Sequence, residues 1–260
     1  MLQTQPLSRE RWLMLTALLA LAAGAWVVLF GQSTMGDGMP TRPTMGMAAP
    51  LFLALWVTMM AAMMFPTAAP MILVFARVHE NRRQRGSAFV PTWVFVAAYL
   101  LVWTGFGALM YGLALAAEAL ADSSMAIAEN APRAGGVLLI LAGLYQLSPL
   151  KNLCLSKCRN PLEFVMQRWA EGYAGAFWMG LKHGAYCLGC CWLLFVILFP
   201  LGVMNVVAMA LITLLIFAEK SSPGGRRLGQ VAAIALVGYG VLVLVLPGAL
   251  PTTMPPGDPM

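Results

Sequence analysis

Residues 174–199 read AGAFWMGLKHGAYCLGCCWLLFVILF. A helix that crosses the hydrocarbon core of a bilayer needs roughly 20 mostly apolar residues. This run has that length, and Lys182 is its only formal charge. Six other runs come near it, at 13–30, 50–76, 90–117, 134–149, 202–218 and 228–248. Together they leave little of the 260 residues for anything else. The whole chain is 60% hydrophobic and 10% charged, with a mean hydropathy of +0.79. Soluble domains carry about 25% charged residues, so a soluble enzyme is excluded. The expected fold is all-α: one polytopic membrane bundle over 1–260 with about seven transmembrane helices. The runs 134–149 and 202–218 are short enough to leave six open.

The placement of charge orients the bundle. Positive residues stay on the cytoplasmic side. With the N-terminus inside, every Lys and Arg except Arg42 and Arg133 falls on or near the inner face, with Lys182 near enough to snorkel. The net charge of +6 therefore marks sidedness in a lipid bilayer, and no nucleic-acid partner is expected. Arg9 and Arg11 precede the first run, and Ala20 and Ala22 are small enough for a signal cleavage site. Apolar sequence continues through Phe30, which favours a retained helix.

Three connections carry features of their own. The outer loop 31–49, GQSTMGDGMPTRPTMGMAA, has no apolar period and contains Met35, Met39, Met45 and Met47, so an irregular, mobile segment is expected. A second outer loop is expected near 119–133. On the inner side, Pro161 opens an amphipathic surface helix over about 161–171, with Leu162, Val165, Met166 and Trp169 on one face.

The chemistry concentrates in KHGAYCLGCCW, residues 182–192. Counting from His183, Cys187 is at i+4, Cys190 at i+7 and Cys191 at i+8, one helical stripe. At about 1.5 Å per residue the thiols lie about 20 to 25 Å into the membrane, where ligand-type side chains are costly and mark sites. Buried cysteine also serves as a small packing residue, but three thiols and an imidazole on one stripe exceed that role. Thioether and thiolate donors select Cu(I), with zinc and an iron–sulfur centre as competitors. The helix at 50–76 offers Met59 with Met63 and Met60 with Met64, each at i, i+4, ahead of Pro66 and Pro70. Met204 and Asn205 follow the turn at Pro200. A second cysteine pair, Cys154 and Cys158, has CxxxC spacing on the inner side, where Lys157 and Arg159 are expected to lower the thiol pKa values. Glu219 closes the run at 202–218 at the inner interface, where a lone acid is ordinarily solvated or paired; the alternative is a functional pair with Lys182 or Lys220.

The segments WVTMMAAMMFP, YQLSPLKNLCLSKCRNP, HGAYCLGCCW, GVMNVVAM and AEK together resemble a bacterial family of predicted metal-binding integral membrane proteins. That family is catalogued as a domain of unknown function, and some members are labelled copper chaperones. The resemblance covers about 50–220. It implies an inner-membrane, multi-pass protein that handles a soft metal. The positions of this chain that match it are Met59, Met60, Met63, Met64, Pro66, Cys154, Cys158, His183, Cys187, Cys190, Cys191, Met204, Asn205, Glu219 and Lys220.

Three functional readings follow. In the first, Cu(I) is captured at the outer methionines, held at Met59 to Met64 and Cys187 to Cys191, and passed inward or to a copper-dependent client, with a periplasmic metal carrier as a possible donor. In the second, Cys154/Cys158 and the CxxC of Cys187/Cys190 form a thiol redox relay. In the third, the same residues only pack a subunit of a membrane complex. No hydrolase, kinase or nucleotide-binding motif is present, so no enzyme is expected outside the redox reading.

Overall fold

The structure, a computed structural model, describes residues 9–35, 42–83, 90–253. Its helices are α1 (Arg9–Met35), α2 (Ala49–Arg83), α3 (Thr92–Ser123), α4 (Met125–Gln146), α5 (Pro149–Arg159), α6 (Pro161–Arg168), α7 (Gly172–Val196), α8 (Leu198–Leu201), α9 (Val206–Ser221) and α10 (Gly225–Val245). No β-strand occurs among the described residues. The all-helical expectation therefore stands.

Six helices are long and apolar enough to cross a membrane: α1, α2, α3, α4, α7 continued through α8, and α10. The run at 202–218 became α9, which has 16 residues. At about 1.5 Å per residue it spans about 24 Å, less than the ~30 Å of a hydrocarbon core. It is shorter than the apolar run because Gly202, at φ 95°, turns the chain, and Asn205 then caps the helix by accepting the Ala208 N–H at 3.0 Å.

The expected outer loop at 119–133 is instead almost wholly helical. Ala-rich sequence carries α3 on to Ser123 and starts α4 at Met125, with only the extended Ser124 between them. In residues 150–172 a helix opens at Pro161 as expected, but it is preceded by α5 and ends earlier than 171. It stops at Arg168 because Trp169 turns to ψ 127°. Val165 and Phe164 point inward while Leu162 and Met166 are exposed. Trp169 lies outside the helix, stacked on Phe75 and His79 with the Arg82 guanidinium 4.7 Å from its ring.

The centre of the bundle is α2, whose most apolar window is 72% buried against 22% for α1, α4 and α10. Pro66 and Pro70 lie inside α2 without ending it. Around it, close approach is achieved with small residues, as expected where lipid offers no hydrophobic drive between helices. A Cβ on Gly180 of α7 would sit 2.4 Å from the Phe95 carbonyl oxygen of α3. One on Gly240 of α10 would sit 2.7 Å from the Gly136 carbonyl oxygen of α4. The outward faces of α1 and α10 carry exposed Leu13, Leu21, Val27, Phe30, Val231, Ile234 and Val245, an apolar exterior compatible with lipid.

Candidate metal centre

The stripe on α7 points into the protein. His183, Cys187, Cys190 and Cys191 are all buried, and all five cysteines are free. The Cys190 and Cys191 thiols donate to the Cys187 carbonyl oxygen at 3.0 and 2.8 Å, the back-bond that a short polar side chain makes on its own helix. The Cys187 sulfur faces the other helices. Lys220 Nζ of α9 donates to it at 3.1 Å, and the Tyr99 hydroxyl of α3 lies 3.3 Å away. Lys220 Nζ also donates to Thr67 Oγ1 of α2 at 3.3 Å, and the Thr67 hydroxyl donates to the Met64 carbonyl at 3.0 Å. Cys187 and Lys220 together thus join α7, α9, α3 and α2.

The α5 cysteines belong to the same place. Cys154 and Cys158, one helical turn apart, face α7. The Cys154 sulfur lies so close to Gly189 that a Cβ there would be 2.8 Å from it. Cys158 lies close enough to the thiols of Cys187 and Cys190 to interact with both. The two pairs, separate in the sequence reading, form one thiol cluster across α5 and α7, and its α5 members are half-buried. The expected acidification of these two thiols is reversed. Interaction with Cys187 and Cys190, then burial, holds the Cys158 pKa well above the usual thiol value. Burial, then the neighbouring Cys190, raises that of Cys154. The basic neighbours do not oppose this because they point elsewhere: Lys157 pairs with Glu163 at 3.7 Å, and Arg159 Nη2 donates to the Ser222 carbonyl at 2.9 Å.

His183 is enclosed by aromatic rings, stacked on Phe95 and Tyr99 with Phe164 tilted against it, and its buried Nδ1 has no hydrogen-bond partner. It lies one helical turn before Cys187 and near enough to feel the charges of Cys187 and Lys220. Among the described residues no group of three or more His, Cys, Asp or Glu side chains is drawn together tightly enough to hold a metal ion as it stands.

The methionines divide. Met59, Met60, Met63 and Met64 are all fully buried in the α2 core. Met64 reaches the thiol cluster through Thr67, whereas Met59 lines a small cavity with Met45 and Met204. Met47 is half-buried, and its carbonyl accepts from the Tyr111 hydroxyl at 3.1 Å. Met35 ends α1, and Met39 lies outside the described residues.

Both ends of the Asn205 amide are used in capping and in a bond to the Leu201 carbonyl. Glu219 pairs with neither Lys182 nor Lys220. Both its oxygens accept from Lys151 Nζ of α5 at 2.7 Å, and Gln146 of α4 bonds to both partners. Lys220 is thereby left to Cys187. Tyr99, Thr67, Gln146 and Lys151 were not legible as site residues. The one available signal was Lys151 itself, a charge set inside the otherwise uncharged run SPLKNL.

A family model described as PpoB2, copper chaperone, matches residues 53–243. Neither the curated proteins nor the solved structures hold a significant match. The matched stretch contains every cysteine, Lys220 and the methionines of α2, and it covers well over half of the sequence. The chain belongs to the PpoB2 copper chaperone family.

Proposed function

We propose that this chain is a multi-pass protein of the bacterial inner membrane that binds Cu(I) as cargo at the thiols of Cys187, Cys190 and Cys158 and delivers it to an acceptor. The observation that carries this reading is the ammonium of Lys220 on the Cys187 sulfur, 3.1 Å away, with the second and third thiols alongside. Soft sulfur donors select Cu(I). A Cu(I) ion held by two thiolates carries one net negative charge, and an unpaired charge in a low-dielectric interior is expensive. Lys220 supplies the single compensating charge. A divalent ion on the same two thiolates would make a neutral centre and leave the buried ammonium without a compensating charge, which disfavours zinc. Among the described residues no carboxylate is free to join the cluster from α9, because Glu219 is committed to Lys151.

Exposure gives the transfer a direction. Cys187, Cys190 and Cys191 are fully buried, while Cys158 and Cys154 are half-buried on α5. Cu(I) that exchanges from Cys187 to Cys158 and then Cys154 moves toward the surface with a sulfur at each step. In this reading that end is cytoplasmic, with the N-terminus inside and α9 crossing as a short seventh span against the long α2; the positive-inside charge pattern supports it.

Anaerobic titration of the full chain in detergent against a chromophoric Cu(I) chelator tests this. The wild-type chain is expected to win one equivalent of Cu(I). Lys220→Met, which keeps the bulk of the side chain and removes the charge, is expected to weaken binding by about 10- to 100-fold, the worth of a hydrogen bond to a charged group at ~1.5–3 kcal/mol. A wild-type chain that takes up no Cu(I) refutes the reading.

A further inference from the structure

Among the described residues, one small cavity has an uncharged lining: Met45, Phe52, Leu55, Trp56, Met59 and Met204, with Val203 beside them. Its three sulfur-bearing side chains come from three separate pieces of chain. Met45 belongs to the turn after α1, Met59 to the middle of α2, and Met204 to the turn between α8 and α9. Methionine is a common filler of irregular gaps, yet the Met45 turn is built to point at this place. Met45 sits at φ 55°, in the left-handed region that non-glycine residues seldom occupy, followed by Gly46 at φ 68°. Thr44 beside it is tied to Glu118 of α3: its N–H donates at 2.7 Å and its hydroxyl at 2.8 Å. Arg42 pairs with Asp122 at 3.6 Å, and the Met47 carbonyl accepts from Tyr111. The opposing Met204 turn is set by Gly202 at φ 95° and the Asn205 cap.

We infer that Met45, Met59 and Met204 form a thioether site for a soft monovalent cation, Cu(I), at the outer end of the bundle. This inference rests on the copper reading above and supplies its point of entry. Thioethers are neutral, so three of them and Cu(I) leave one positive charge, and the electron-rich indole of Trp56 is part of the same wall. Such a site is weaker than a thiolate site and releases its ion readily. Met45 and Met204 are half-buried and Met59 is fully buried, so the ion enters from the surface and leaves into the core. Met63 stands one helical turn beyond Met59 on α2, and Met64 stands next to it, bonded to the Thr67 that contacts Lys220. Sulfur therefore lines the way from this cavity to the thiols.

The test is a Cu(I) titration of the full chain in detergent micelles, labelled with ¹³C at the methionine ε-methyl groups and followed by NMR. The first equivalent is expected to fill the thiols. The second should shift the Met45, Met59 and Met204 methyl signals together, at an affinity at least about 100-fold lower. Met45→Leu with Met204→Leu, which conserves volume, should abolish the shift of Met59 and leave the first equivalent in place. If the thiol reading is wrong and this site exists, the same three signals move with the first equivalent. Cu(I) that leaves these signals unmoved, or that moves Met59 equally in the double variant, overturns the proposal. The wild-type titration alone decides the matter if the variant fails to fold.

Discussion

Cys187→Ser combined with Cys190→Ser is expected to abolish tight Cu(I) binding, with a loss of at least about 100-fold in affinity, the upper end of what outer-shell changes alone cost at metal sites. The substitution is chosen because it spares the fold. At position 190 a hydroxyl can make the same bond to the Cys187 carbonyl that the thiol makes at 3.0 Å, and serine is slightly smaller than cysteine. At position 187 the hydroxyl remains a partner for Tyr99 and for Lys220. What changes is the donor: a neutral oxygen that does not ionise here replaces a soft sulfur. Cys154→Ser is the internal comparison. Its sulfur packs against Gly189 at the edge of the cluster and is half-buried, so equilibrium affinity should fall by less than about tenfold while handover to an acceptor chelator slows. Chelator competition gives the affinities, and stopped-flow with the same chelator gives the handover.

The second large effect concerns the scaffold. Lys151 and Glu219 are buried together, with the ammonium 2.7 Å from both carboxylate oxygens and Gln146 completing the network. Glu219→Leu alone strands the ammonium, and Lys151→Met alone strands the carboxylate. Each should cost about 3–5 kcal/mol. The double variant should recover most of that loss, because two apolar side chains need no partners. Thermal unfolding in detergent, followed by circular dichroism, measures both. The link to function is spatial. Glu219 and Lys220 are adjacent on α9, so the pair that fixes α5 to α9 also aims Lys220 at Cys187. In the double variant, recovered stability with weakened Cu(I) binding is therefore expected.

The local part of this site was readable along single helices. A period of 3.6 puts His183, Cys187, Cys190 and Cys191 on one stripe, and Met59 to Met64 on one wide face, without knowledge of any other helix. Depth of burial followed from the same run, since α7 is apolar throughout. What periodicity cannot carry is which helix lies opposite. Cys158 and Cys187 are far apart in sequence and meet because α5 folds back along α7 over Gly189. Lys220 looked like an interfacial residue at the end of a span. Its partner was hidden because Lys151, the residue that occupies Glu219, comes from α5. The outer connections depart from the loop expectation for a different reason: the alanines of 119–133 let helix propensity prevail over its Asp, Asn and Ser residues. The Met-rich loop was treated as uniform, whereas Glu118 pins its second half at Thr44.

Copper K-edge X-ray absorption of the full chain, loaded anaerobically with one equivalent of Cu(I), tests the central claim most directly. The account predicts a first shell of sulfur alone, with two or three short copper–sulfur distances of thiolate type. These should be lost when Cys158, Cys187 and Cys190 are serine. A first shell of nitrogen or oxygen, or an unchanged sulfur shell in that triple variant, would contradict it.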